Sequence, residues 1–378
     1  MSGKPKIYRY KTMKGLVQRL RDDLNGGGQD FVLLYAYNGT GKTRLSMAFK
    51  EAGKKKGIER DTLYFNAFTE DLFTWDNDLK SGSKRGLKMN KDSRFLGGVK
   101  ELEMENRIRP FLNRYADFDF TIDYEAWTIS FSGQDQGNTI DDIKISRGEE
   151  NIFIWCFFLA IAQLAIDGAE AYNWVEYIYI DDPISSLDDN NAIAVASDLV
   201  KLLLWDEVAI QKRNRLVKTV ISSHHGLFFN VLHNELKKEK LKRYFLHKSR
   251  GADHHTLRVT DDTPFFHHVA TLSELYQAAE SGNLYTYHFN MLRSMLEKTA
   301  TFFGFKEFSA CIHGVDDEVL YSRALNLLSH GKYSVYEPRE MVEDSKELFK
   351  RILDAFLERY RFDLPELSAE DPEPAEQT

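Results

Sequence analysis

Apolar positions change their rhythm along the chain, and each rhythm predicts a different element. Short, nearly unbroken apolar runs at residues 31–35 (FVLLY), 175–180 (VEYIYI) and 217–222 (VKTVIS) alternate with helical segments across residues 31–265. Runs of that length, rich in branched and aromatic side chains, predict strands covered on both faces, as in an α/β sheet. Residues 118–131 (FDFTIDYEAWTISF) instead alternate with a period of two and predict an antiparallel β-layer. Residues 13–24 predict a helical lead that breaks at Gly26–Gly28, and residues 80–94, rich in Lys, Ser and Gly, predict an exposed loop. The most apolar stretch, residues 152–166, is short for a bilayer span, contains Gln163 and follows Glu149 and Glu150. A buried helix is expected there.

Beyond residue 265 the pattern is helical. Residues 271–303 form one long helical stretch interrupted near Gly282, and in residues 347–360 a single apolar stripe runs through Leu348, Phe349, Ile352, Leu353, Phe356 and Leu357. The acidic, proline-bearing tail after Leu364 is expected to be disordered. The resulting division is residues 1–265, 266–364 and 365–378, and a chain of 378 residues has room for two cores. The net charge of −8 argues against a protein that coats nucleic acid, though a local patch would still act within ~8–10 Å. The best such patch, residues 237–250 (KKEKLKRYFLHKSR), reads more simply as a solvated helix face followed by a strand. Cys156 and Cys311 lie far apart in apolar surroundings, which excludes a CxxC zinc site and fits a reducing cytoplasm. The opening MSGKPKIYRYK lacks the apolar core of a signal peptide, and no membrane association is expected.

Four short segments carry chemistry. Residues 36–43, AYNGTGKT, follow the first apolar run as a phosphate-binding loop. Gly39 and Gly41 permit the tight turn that lets the backbone N–H groups of Asn38, Gly39, Thr40, Gly41, Lys42 and Thr43 wrap a β-phosphate, with Arg44 beside them. Lys42 reaches the β- and γ-phosphates and the Thr43 hydroxyl serves Mg²⁺; Ala36 replaces the usual first glycine. In IYIDDPISSLD (178–188), Asp181 ends a strand where it would hold Mg²⁺ through water. Asp182 follows where ABC-type ATPase heads usually carry the Glu that polarises water, and its shorter reach predicts slow hydrolysis. Residues 185–188 resemble the D-loop of such heads. In ISRGEE (145–150), Ser146 and Gly148 occupy signature positions at a helix start, which suits a γ-phosphate. Because that signature serves the nucleotide of a second subunit, at least a dimer is expected. His224, in SSH (222–224), matches the switch histidine, with His225 as its neighbouring competitor. The loop-to-signature interval, about one hundred residues, leaves no room for a long coiled coil. The fold expected is therefore α/β, an ABC-ATPase-like head with an antiparallel β-layer and a mostly helical C-terminal domain. ATP and GTP remain equal candidates.

In YHFNMLRSMLEKTATFF (287–303), Arg293 and Glu297 share one helix face, and His330 follows in NLLSHGKYS (326–334). By spacing alone these are a solvated ion pair and a structural histidine. The segments YAYNGTGKTRLS, FNAFTEDLFTWDNDL (65–79), SRGEENIFIW, IDDPISSLDDN, FFNVLHNEL and YHFNMLRSMLEKTATFFGF together resemble the PrrC family of anticodon nucleases. The resemblance runs from the phosphate loop to about residue 334, and the 65–79 block is its most specific part. Asn66 in that block is a candidate substitute for the Q-loop glutamine.

That resemblance implies a latent ribonuclease that cuts a tRNA, typically lysine tRNA, in its anticodon loop next to the wobble base. The family's nuclease triad corresponds to Arg293, Glu297 and His330. Glu297 as base, His330 as acid and Arg293 as charge stabiliser suit a metal-independent attack by a 2′-hydroxyl, with the Glu and His roles open to reversal. Asp261, Asp262, Phe265, Phe266 and His268 lie where family members read tRNA. The resemblance also implies silencing by a type I restriction–modification complex and a role in antiphage defence. Two other readings stay open: an ATPase of DNA repair or phage defence without nuclease activity, and a regulatory module serving a separate effector.

Overall fold

The computed structural model describes residues 6–53, 61–66, 73–77, 85–96, 99–135, 138–183, 189–204, 217–248, 253–260, 266–312, 339–360, 362 and 364. The chain divides into two compact units, residues 9–261 and residues 262–378 with 1–8.

The elements up to residue 261 are β1 (Ile7–Tyr10), α1 (Met13–Asn25), β2 (Phe31–Tyr35), α2 (Lys42–Ala52), β3 (Thr62–Asn66), β4 (Phe73–Asn77), β5 (Arg85–Met89), α3 (Met104–Leu112), β6 (Asp119–Asp123), β7 (Thr128–Asp135), β8 (Asn138–Ile140), α4 (Arg147–Ile166), β9 (Tyr177–Asp181), α5 (Asp189–Leu203), β10 (Lys218–Ser223), α6 (Gly226–Glu235), β11 (Leu241–His247) and β12 (His255–Val259). The larger sheet has the order β1-β12-β11-β2-β10-β9-β3. From β11 to β3 its strands are parallel, and β12 runs antiparallel to β11. The central strand β2, and β9 two places along, are buried at every position, as strands covered on both faces must be. The second sheet, β4-β5-β7-β6 with β8 on β7, is antiparallel. In β6 the burial alternates strictly, with Phe120 and Ile122 inward and Asp119, Thr121 and Asp123 outward.

An α/β head with an antiparallel layer is thus the observed architecture. One segment differs from its sequence pattern: Arg85–Met89 is a strand, not a loop. Its Leu87 and Met89 are buried and pair across to β4, so two inward side chains and a waiting sheet edge outweigh the Lys/Gly-rich composition. α4 is long and apolar enough to cross a membrane, yet 72% of its apolar window is buried in this unit, and Trp155, Phe157 and Phe158 are core residues. Tyr244 and Phe245, the aromatics of the basic 237–250 segment, are likewise buried in β11. Cys156 and Cys311 are both free and buried.

The other unit holds α7 (Phe266–Ser281), α8 (Tyr287–Phe303) and α9 (Glu343–Arg359). Gly282, at φ +72°, makes the break between α7 and α8 in a left-handed conformation that a side chain would strain. Leu272, Leu275, Phe289, Leu292, Leu296, Phe349, Ile352, Leu353 and Phe356 form its core, with Leu348 and Leu357 packed at the margin. The stripe at helical spacing in α9 is therefore the inward face of that helix.

Candidate functional site

Parallel strands set side by side bring their carboxyl ends to one edge, and there the chemically distinctive residues meet. The register aligns Ser223 with Tyr35, Ser222 with Asp181, and Asn66 with Asp181. The loop after β2 turns through Gly39 (φ +82°) and Gly41 (φ +97°), and Gly41 starts α2 without a side-chain cap. Uncapped N–H groups at a helix start are suited to anions. The Thr40 hydroxyl donates to the Tyr37 carbonyl at 2.7 Å and closes the loop on itself.

Lys42 is only 5% exposed. Its ammonium donates to the carbonyls of Ala36 (3.0 Å) and Tyr37 (3.3 Å) and to Asn38 Oδ1 (3.4 Å), and it lies 3.2 Å from Asp182 Oδ2. Asp182 sits at φ +47° just beyond β9, with its N–H bonded to the Ser222 carbonyl. Its Oδ1 accepts from the His224 backbone N–H and faces His224 Nδ1, both at 2.8 Å. Burial alone would raise the Asp182 carboxyl. The His224 hydrogen bonds and the Lys42 charge outweigh that and hold it below the usual carboxylate range.

Asp181, one residue earlier, is pushed the other way. It is 1% exposed; burial raises its affinity for a proton, the neighbouring Asp182 charge adds to this, and hydrogen bonds from Ser222 and Ser46 oppose it. Ser222 Oγ donates to Oδ1 at 2.6 Å and Ser46 Oγ to Oδ2 at 2.9 Å. Ser46 Oγ lies 3.1 Å from Tyr64 Oη, which in turn accepts from Asn66 Nδ2 at 3.2 Å. Asn66 is thereby linked to Asp181 through two hydroxyls. Two adjacent acids with opposed shifts are the mark of a site with divided roles.

This donor set fits a nucleotide with Mg²⁺. Mg²⁺ takes one or two carboxylates and otherwise phosphate and water oxygens, and among the described residues no cluster of three or more His, Cys, Asp or Glu competes for it. Asp181 and the Thr43 hydroxyl, at the start of α2, would hold the ion, which would offset the charge that burial penalises on Asp181. Thr43 and Arg44 are exposed in the first turn of α2.

Of the paired histidines, His224 faces Asp182, whereas His225 caps α6 by accepting from the Phe228 N–H at 3.4 Å. Ser146 caps α4 in a capping box with Glu149: its hydroxyl accepts the Glu149 N–H (3.3 Å) and Glu149 Oε2 accepts the Ser146 N–H (2.6 Å). Among the described residues no hydrogen bond joins Ser146 or Gly148 to Lys42, Asp181 or Asp182. Residues 185–188 and most of the 65–79 block lie outside the described residues.

Ser46, Tyr64 and Ser222 carry no motif of their own and escape a reading of the sequence, although SSH includes Ser222. His255 escapes too. It is 6% exposed on β12, with Nε2 placed 3.6 Å from where a Gly41 Cβ would stand. Burial first, then the charges of Lys248 and Arg44, disfavour its protonation, against a hydrogen bond to the Thr40 backbone.

In the other unit, Arg293 Nε donates to Glu297 Oε1 at 2.7 Å. The Arg293 side chain is 19% exposed, and its guanidinium lies over the Phe308 ring at 5.3 Å; Glu297 is 50% exposed. His330, Asp261, Asp262, Phe265 and the side chains of Phe266 and His268 lie outside the described residues.

A glycine-turned loop after a central parallel strand, a buried lysine and two acids at the end of a neighbouring strand define a P-loop nucleotide-binding protein of the ATPase class. Residues 102–354 match the family model described as AAA domain, a stretch that begins after the phosphate loop and includes the strand-end acids, His224, Arg293 and Glu297. The chain is also 34% identical over 360 residues to a protein named anticodon nuclease from Escherichia coli, covering 85% of this chain and 87% of that protein. The chain belongs to the PrrC anticodon nuclease family.

Proposed function

We propose that this protein is a latent tRNA anticodon nuclease whose cutting is governed by ATP or GTP bound with Mg²⁺ in the P-loop head, residues 1–265. The blade is the helical domain, residues 266–364. The carrying observation is the Arg293–Glu297 pair on α8, the arginine backed by Phe308 and the carboxylate open to solvent. A guanidinium fixed by an aromatic face and a carboxylate is held in one orientation, which suits charge gathering on phosphoryl oxygens.

The substrate is the anticodon stem-loop of lysine tRNA, cut 5′ of the wobble base. The 2′-hydroxyl gives its proton to Glu297 and attacks the adjacent phosphorus. The bond to O5′ breaks, and His330 protonates that oxygen. A 2′,3′-cyclic phosphate and a 5′-hydroxyl result, without a metal in the step. In the head, Lys42, Asn38, Gly39, Thr40, Gly41, Thr43 and Arg44 hold the triphosphate. Asp182 and His224 serve hydrolysis, and Ser146 with Gly148 address the nucleotide of a second copy. A type I restriction–modification complex holds the nuclease silent, and its loss during phage attack releases it in the cytoplasm.

Incubation of the protein with total tRNA, Mg²⁺ and ATP or GTP, followed by mapping of 5′-hydroxyl ends, tests this reading. Glu297→Gln is expected to lower cleavage by about 10²–10⁴, the usual worth of an acid–base group, and to spare nucleotide hydrolysis. Lys42→Ala is expected to abolish nucleotide-dependent cleavage. Intact anticodon loops under active hydrolysis would refute the nuclease and leave an ATPase.

A further inference from the structure

α8 does not end as a helix in a folded core usually does. Its inward stripe (Phe289, Leu292, Met295, Leu296, Ala300) is buried, but the next two aromatics are not: Phe302 is 84% exposed and Phe303 52%. Gly304, at φ +73°, closes the helix, with its own N–H on the Thr301 carbonyl and the Phe305 N–H on the Ala300 carbonyl at 2.8 Å. This paired closure turns the chain back and lays Phe305, itself 38% exposed, against Phe303. The Phe303 and Phe305 rings stack at 5.8 Å and 20°, and Phe302 meets Phe303 edge-on at 5.3 Å. Phe303 also packs on Tyr360, just after α9, at 5.2 Å, so Phe302 is the ring most open to water, and so bare a ring is costly.

Their surroundings indicate what covers them. Lys298 lies one turn before Phe302 and Lys306 follows Phe305; both are exposed, and neither forms an ion pair among the described residues. Glu307, next to Lys306, is exposed, and Glu297 is paired with Arg293. The chain leaving Phe305 passes within three residues to Phe308, directly beneath the Arg293 guanidinium. Phe302 stands nine residues beyond Arg293 on the same helix, about 13.5 Å along its axis, and Lys298 and Lys306 bring positive charge to the patch. Unpaired RNA bases stack on exposed aromatic faces while lysines meet the phosphates between them.

We infer that Phe302, Phe303 and Phe305, flanked by Lys298 and Lys306, form a stacking platform for unpaired bases of the RNA cut at Arg293 and Glu297. This rests on the nuclease reading above. The probe is an anticodon stem-loop RNA carrying 2-aminopurine in the loop, bound to full-length Glu297→Gln protein with nucleotide and Mg²⁺. Adding Phe302→Ala should weaken binding about 5- to 150-fold, the worth of one stacked base, and relieve the quenching of the probe. Phe302→Trp should restore both, Phe302→Leu neither, and Lys298→Gln should reduce the salt slope by about one. Unchanged affinity in Phe302→Ala, or full rescue by leucine, overturns the inference. So does a fall in oligomer mass with affinity intact, which would make the patch a contact between copies. If the parent protein binds no stem-loop, the nuclease reading fails first and the platform with it; failure of the Phe302 variants alone leaves that reading standing.

Discussion

Removing the Ser222 hydroxyl isolates one physical term at the head. Asp181 is buried and stands beside a second carboxylate, and two serine hydroxyls oppose the resulting rise in its proton affinity. Ser222 is the cleaner of the two to delete. The single Ser46 proton is shared between Asp181 and the Thr43 carbonyl at 2.9 Å, whereas Ser222 makes the shorter 2.6 Å bond. A hydrogen bond to a charged group is worth about 1.5–3 kcal/mol, and each 1.36 kcal/mol is tenfold in a protonation equilibrium. Ser222→Ala should therefore make Asp181 hold its proton roughly 10- to 100-fold more tightly, less if water enters. The assay is steady-state nucleotide hydrolysis across pH at several Mg²⁺ concentrations. The acid limb of kcat/KM should move to higher pH, the Mg²⁺ requirement should rise most at low pH, and the plateau at high pH should approach that of the parent. An acid limb at the parent's pH with a uniformly lower rate would refute the argument, since it would mean that Ser222 shapes the strand end without tuning Asp181.

Asp181→Asn should abolish hydrolysis yet stabilise the nucleotide-free protein by about 0.5–2 kcal/mol in denaturant titrations, as relief of a functional strain does. The sign follows from the raised carboxyl: the folded state keeps a proton that the unfolded state has already lost, so stability falls as pH rises from the ordinary Asp range to the raised value, and the parent is penalised above it. The depressed Asp182 contributes oppositely, with stabilisation present above the ordinary Asp range and lost on acidification; Asp182→Asn should flatten that acid-side loss in urea midpoints. Gly41→Ala should cost about 1–2 kcal/mol from its φ of +97° and from a Cβ set 3.0 Å from Met13 Cε, and should weaken nucleotide binding measured by calorimetry. Phe356→Ala, at a fully buried position in α9, should destabilise by about 3–5 kcal/mol and abolish RNA cleavage through unfolding, visible as a lower melting temperature.

Much of the architecture was legible because local chemistry dictates it. The FVLLY run became β2 over its whole length, and the break at Gly282 fell where a helix cannot continue without a left-handed residue. The failure at Arg85–Met89 has the same logic inverted. Composition spoke for a loop, but strand formation there depends on partners in β4 and β7 that are distant in sequence. His224 and His225 are equivalent as letters; only the bend after β10 turns one toward Asp182 and the other into a helix cap.

The phosphate loop, the strand-end acids and the Arg293–Glu297 spacing can be read from residue order, since each depends on backbone turns or helical pitch within a few residues. How those acids behave depends on contacts made across the fold. Asp181 is held by Ser46, 135 residues away, and by Ser222, 41 residues away, and nothing in the residue order assigns either serine to that carboxylate. Parallel pairing brings the ends of β2, β9 and β10 into register, and burial there makes two neighbouring carboxylates unlike. Charge, hydration and proton affinity are set by what surrounds a group in space, and that surrounding exists only once the sheet has closed around it.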